Sequence, residues 1–272
     1  MTKNRIQILK EKMLSQPRYV SIEQALIITK TYKQHENEPI ILKRAYALAN
    51  ALRELEIGIE NEELIVGNRT KGVRYGVVFP ESGISWVDRE FETISTRKQD
   101  KFLVRDEDIK IFREQIVPYW KGKSLEDVIK QNFGKEISAI NKVVKINQTD
   151  HAQGHICPNV EKWLQKGVSG LLADAQNHYE NADEDKKNFY QAIIIVMKAV
   201  QNFMLRYHDL LIATAKDDEK NRASLIKVAD ICKNISQRPP QTFHEAVQAT
   251  WFLFVILHME SNASSFSPGR LD

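Results

Sequence analysis

Cysteine is scarce in this chain. Cys157 and Cys232 are the only two among 272 residues, with no CxxC pair and no framework of close spacings. Such usage fits a reducing compartment and predicts two free thiols rather than a disulfide-stapled fold. Long apolar runs are missing too. The longest, Trp251 to Leu257, falls far short of the roughly 20 residues a membrane-crossing helix needs. It reads as a buried helix, and no membrane partner is expected. The amino-terminal MTKNRIQILKEKML is charged and has neither the continuous apolar stretch nor the small-residue cleavage site of a secretory signal. An excess of one charge is absent: 39 Lys and Arg face 36 Asp and Glu, interspersed along the chain. No basic face for a phosphate backbone results, so nucleic acid is not an expected partner. These absences together predict a cytoplasmic protein.

What is present is enough apolar material, 42% of residues, to bury one sizeable core or two modest ones. Helical signals dominate. Ser21 with Gln24 predicts a capping box before Ala25, Leu26 and Thr29. Pro39 suits the first turn of a second helix, whose Leu42, Ala45, Leu48, Ala49 and Leu52 recur at helical spacing toward Glu56. The pattern then changes: Asn61 to Thr70, followed by Gly72, Gly76, Pro80 and Gly83, reads as strand and loop. Helices resume over Asp106 to about Gln115, with a break near Pro118, and over Ser124 to Phe133 with Ser124 as cap. Pro158 opens another, through Trp163. Asp183 to Asp217 reads as one long helix with Ile194, Met197, Val200 and Met204 on a stripe. Thr242 and Glu245 cap a last helix that is apolar almost all round from Val247 to Met259, which predicts that protein surrounds it.

One loop is dense in chemistry-bearing side chains. Asn147 to Asn159, NQTDHAQGHICPN, holds two histidines, an acid, four amides and a thiol. His151 and His155 have the i, i+4 spacing of paired zinc ligands, and metal-dependent hydrolysis is one reading. Gly154 and Pro158 argue against a continuous helix there, and the glutamate of HExxH is absent. Two other readings stay open for the histidines: a hydrogen-bonded pair tying the loop to the next helix, or donors to substrate oxygens. Cys157 lacks an identifiable orienting partner and reads as a packing thiol. Arg69, Lys71 and Arg74 lie in a glycine-containing segment that matches neither GxxxxGK[ST] nor GxGxxG, so a structural turn is expected. Adjacent Glu62 and Glu63 would leave opposite sides of a strand and read as solvated. His244 and His258 read as residues satisfied by local polar partners.

Three segments, NEELIVGNRT (Asn61 to Thr70), NQTDHAQGHICPN (Asn147 to Asn159) and ESNASSFSPGRLD (Glu260 to Asp272), together resemble the pyruvate formate-lyase-like domain of glycyl radical enzymes. With PQTFHEAVQATWF (Pro240 to Phe252), their order resembles the first third of the dehydratase-like branch. The resemblance spans nearly the whole chain. It implies a fold that is mainly α in this chain, residues 1–272 forming the amino-terminal part of a ten-stranded α/β barrel. It further implies anaerobic chemistry in which a backbone glycyl radical makes a cysteine thiyl radical that abstracts a substrate hydrogen. An organic radical of this kind is installed by a radical S-adenosylmethionine activating enzyme, and no other cofactor is expected.

The family's radical cysteine lies in a Gly-Cys-x-Glu segment and its radical glycine in an Arg-Val-x-Gly-Tyr segment; neither occurs in this sequence. No catalytic residue is therefore assigned here. By motif position, Asn147 and His155 are similar to residues with which glycerol-type dehydratases bind substrate hydroxyls, and Ser264 and Ser265 fall where those enzymes have His-Ser. Ser265 agrees and Ser264 departs. A serine in place of an imidazole leaves room for a bulkier substrate, a larger polyol or sugar alcohol. The resemblance thus implies the amino-terminal portion of a carbon-oxygen lyase, inactive alone, with a small-molecule substrate, an activating enzyme and a homodimeric parent. A complementing carboxy-terminal chain would complete it. The alternatives are a non-catalytic helical binding or regulatory module, and a formate acetyltransferase-type acyltransferase.

Overall fold

The longest periodic stretch of the sequence makes the longest helix. In a computed structural model, which describes residues 4–144 and 153–269, the chain runs through α1 (Arg5–Ser15), β1 (Tyr19–Ser21), α2 (Glu23–Gln34), α3 (Ile40–Glu54) and β2 (Tyr75–Val77). Next come α4 (Ser85–Glu90), α5 (Asp106–Ile111), a π-helical turn (Phe112–Ile116), α6 (Val117–Trp120), α7 (Leu125–Ile140) and β3 (Gln153–Ile156). Then follow α8 (Val160–Glu180), α9 (Glu184–Asp217), α10 (Arg222–Gln237), α11 (Phe243–Glu260) and β4 (Ala263–Phe266). The architecture is mainly α. None of the described helices is long and apolar enough to cross a membrane.

Helix α9 is the axis on which α3, α8 and α10 pack. Its Ala199, Val200, Phe203, Met204, Tyr207, Leu211 and Ala215 are buried, one stripe at three-to-four-residue spacing. Ile194 and Met197, expected on the stripe, lie half-buried beside it. Phe203, Tyr207 and Phe252 of α11 form an aromatic knot with centroids 5.2 to 5.8 Å apart, within the range where tilted pairs attract. All five expected apolar positions of α3 are buried. A second core, beneath β1 and β2, gathers Ile28, Tyr32, Ile84, Phe91, Phe112, Ile116 and Trp120. The indole N–H of Trp120 donates to Thr29 there at 2.8 Å.

Several expectations are corrected. Ser21 is the last residue of β1, Ile22 is the N-cap of α2 without a side-chain bond, and Gln24 is buried inside the fold. Asn61 to Thr70 forms no strand. The buried Val66 instead pairs with one side chain: its N–H donates to Gln248 Oε1 at 2.9 Å, and Gln248 Nε2 donates to its carbonyl at 2.7 Å. The glutamine amide reproduces what a neighbouring strand would supply. Pro118 does not break its helix, because the π-helical turn absorbs the register change and places the proline in the first turn of α6, where no N–H is required. The helix capped by Ser124 continues to Ile140. Helix α10 carries no signal singled out in the sequence, yet its Leu225, Val228, Ala229, Cys232 and Ile235 complete the main core. Helix α11 has the expected capping box, but protein covers one face only: Val247 and Trp251 are exposed on the other.

Candidate functional site

Pro158 cannot donate to a ladder and ends the extended segment that precedes it. Asn159 then caps α8, accepting from the N–H of Lys162 at 2.9 Å. The loop expected before this cap is, over Gln153–Ile156, a strand: β3 pairs in parallel with β4, in the register Gln153 with Ala263, His155 with Ser265, and Ile156 with Phe266. The N–H of Ser267 extends the ladder to the Ile156 carbonyl at 2.8 Å. Partners in a parallel pair leave the same face, and successive residues leave opposite faces.

Those two faces differ. Phe266 is buried and meets the ring of His258 edge to face, at 4.7 Å. It anchors β4 on α11. His155 is exposed and Ser265 half-buried on the other side of the ladder, where an imidazole and a hydroxyl stand side by side. Of the remaining candidates, Ser264 lies in β4 with its side chain outside the described part. Asn147 and His151 lie outside the described residues. The helical spacing behind a zinc pair fails, since His155 is on a strand, and no cluster of three or more metal-ligating side chains occurs among the described residues.

Neither cysteine is disulfide-bonded. Cys232 is buried in α10, and burial pushes its thiol up to about 12. Cys157 is exposed just beyond β3. Cys232 is thus an inert core thiol, and Cys157 stands exposed beside Pro158. The arrangement presents hydrogen-bond donors and acceptors along a strand edge.

The neighbouring segments prove structural. Arg74 donates to the carbonyls of Leu14 and Gln16 at 3.1 and 2.8 Å, Lys71 pairs with Glu56, and Arg69 donates to the carbonyl of His258 at 3.3 Å. Burial lowers the Arg69 guanidinium from its ordinary value. His258 Nδ1 donates to Phe254 at 2.9 Å and His244 Nε2 to Leu64 at 2.7 Å, the local satisfaction expected. The two glutamates are not simply solvated. Glu62 occupies a left-handed turn with φ 76 and pairs with Lys220 at 2.9 Å. Burial pushes the Glu63 carboxyl up to about 7, against the pull of Lys12.

A helical body presents parallel strands at its edge, and the described parts of the three sequence segments meet around α11 and β4. The pyruvate formate lyase-like family matches residues 1–272, and the chain belongs to that family. Among curated relatives, a probable dehydratase, YbiW, of Escherichia coli (strain K12) is 32% identical, the match covering 93% of this chain and 32% of the relative. The (2S)-3-sulfopropanediol dehydratase of Klebsiella oxytoca is 28% identical over 98% of this chain and 34% of its own length. Among solved structures, the glycerol-bound form of the B12-independent glycerol dehydratase from Clostridium butyricum superposes with a TM-score of 0.93 at 31% identity, covering all of this chain and 36% of that one. The chain spans about a third of the length of the relatives it matches.

Proposed function

We propose that this chain supplies one wall of the substrate pocket of a glycyl radical carbon-oxygen lyase, a dehydratase acting on a polyol or sugar-alcohol-like molecule. The pairing of His155 with Ser265 on one face of the β3–β4 ladder carries the reading. Expelling water from a carbon next to a radical centre requires donors held against the leaving hydroxyl and exclusion of bulk water. An imidazole and a hydroxyl on adjacent strands, backed by the Phe266 and His258 rings, meet the first requirement with little freedom to lose. Asn147 joins them as a substrate-binding residue. The glycyl radical and its relay cysteine are supplied by polypeptide carrying the Gly-Cys-x-Glu and Arg-Val-x-Gly-Tyr segments, in a homodimeric, cytoplasmic enzyme served by a radical S-adenosylmethionine activating enzyme. Without that polypeptide the chain is inactive.

The test is co-expression with such a polypeptide, activation, and measurement of the glycyl doublet by electron spin resonance together with turnover of glycerol and 1,2-propanediol. Turnover is expected only in the combined system, and Ser265→Ala and His155→Ala should each raise KM about tenfold or more, the effect of one lost hydrogen bond in a closed site. A doublet from this chain alone would reject the reading. So would unchanged KM in both variants. A second reading, a non-catalytic helical binding module, is favoured by the main core, which Phe203, Tyr207 and Phe252 close within the chain itself. It predicts a cooperative melt together with no turnover in any combination.

A further inference from the structure

Three stretches far apart in sequence converge on the last turn of α11. Arg69 donates from Nη1 to the carbonyl of His258 at 3.3 Å. Gln24 of α2 donates from Nε2 to that of Met259 at 3.0 Å. Arg44 of α3 donates from Nη2 to the carbonyl of Glu260 at 3.2 Å and to its carboxylate at 2.5 Å. A helix leaves its final four carbonyls without helical N–H partners. In α11 the N–H of Ser261 takes Leu257 at 3.2 Å, and the three side chains take the next three carbonyls in order. Two of the three are guanidinium groups, set where the helix dipole is negative. Gln24 is only 1% exposed and its Oε1 has no hydrogen-bond partner among the described residues, so the buried amide contributes through its donor.

Immediately beyond this turn the chain enters β4. His258, whose carbonyl Arg69 holds, also packs its ring on Phe266, the partner of Ile156 across the ladder. We infer that Gln24, Arg44 and Arg69 are positioning residues: by fixing where α11 ends, they fix the register in which β4 meets β3 and so place Ser265 opposite His155. A slip of one residue would exchange the two faces of β4 and turn Ser265 away from His155. The ladder is only four residues long on each side, too short to define its own register strongly, so the definition comes from the helix end. The functional significance of that placement rests on the substrate-wall reading above; the clamp itself does not.

Hydrogen exchange on the full chain tests the clamp. Gln24→Met is the lead variant, since it removes the donor together with an unpartnered buried oxygen at near-equal volume. Amides of residues 153–156 and 263–267 should exchange about tenfold faster, as expected for one lost hydrogen bond. Those of β1 and β2 should not change. Unchanged exchange at 263–267 overturns the inference. Should Gln24→Met lose protection throughout, Arg69→Met against Arg69→Lys decides by the same amides: faster exchange in the methionine variant with recovery in lysine supports the clamp, and identical exchange in both overturns it. Affinity for 1,2-propanediol, measured in the combined enzyme, separates the two readings. Faster exchange with unaltered affinity keeps the clamp and rejects the substrate wall.

Discussion

His155 and Ser265 are direct cross-strand partners in the parallel pairing of β3 with β4, although four helices, α8 to α11, separate them in sequence. Parallel neighbours on adjacent strands lie about 4.8 Å apart, within the Cα separation that a disulfide between introduced cysteines spans. In a Cys157→Ser background, the double variant His155→Cys and Ser265→Cys should oxidise to an intramolecular disulfide. The offset pair His155→Cys and Phe266→Cys, whose side chains leave opposite faces, should stay reduced. Thiol titration under mild oxidant checks both. Failure of the first pair, or closure of the second, would show the register to be wrong.

Gln248 stands in for a strand. Replacing it with methionine keeps the volume but strips the buried N–H and carbonyl of Val66 of their only strand-like partner. Two buried backbone groups left unpaired should cost about 3 kcal/mol, read as a lower denaturant midpoint at an unchanged slope.

Glu245 accepts from Arg238 at 3.0 and 2.8 Å, from Asn234 at 3.1 Å, and from the N–H groups of Gln241 and Thr242 at 2.7 and 3.3 Å. The Arg238 guanidinium foremost, with these other donors, holds its carboxyl down at about 2, against 4.5 ordinarily. The ionised form is thus favoured by folding. Its contribution is complete above about pH 4.5 and is lost as pH falls toward 2. Glu245→Gln should destabilise the chain at pH 7 by on the order of 3 kcal/mol, because Arg238 loses its partner. The variant should also flatten the acid limb of a stability profile.

Glu63 has the opposite sign. Burial raises its carboxyl to about 7, so between pH 4.5 and 7 the folded chain binds a proton that the unfolded chain has released. Stability should fall as pH rises through that window. Glu63→Gln should remove the dependence and melt higher than the parent at pH 8, with little difference at pH 4.5. Parallel melts at the two pH values decide the matter, and equal shifts at both would contradict it.

The apolar spacing of α3, the extent of α9 and the capping box of α11 were legible because each is a local pattern, repeated within one or two helical turns. Other features required partners far along the chain. The residues of β3 look like loop, with a glycine and a histidine among four positions, and become strand only because β4 lies alongside. Gln24 matched a capping pattern three residues after Ser21, yet its amide serves Met259, 235 residues away. Asn61 to Thr70 has an apolar run typical of strands, but its hydrogen bonds go to a side chain. The motif segments singled out His155 and Ser265, and the β3–β4 register sets the two side by side. Nothing local indicated that Arg44 and Arg69 hold the helix end beside them.

The span between β3 and β4 bears on the order of assembly. Closing so large a loop costs entropy that a four-residue ladder recovers only in part, whereas α8, α9, α10 and α11 pack mainly on sequence neighbours. The helices should therefore consolidate first and the ladder close on a finished surface. In pulse-labelled refolding, amides of α9 should become protected before those of Ser265 and Phe266. The edge proposed to receive substrate is then the last part of the chain to acquire its shape.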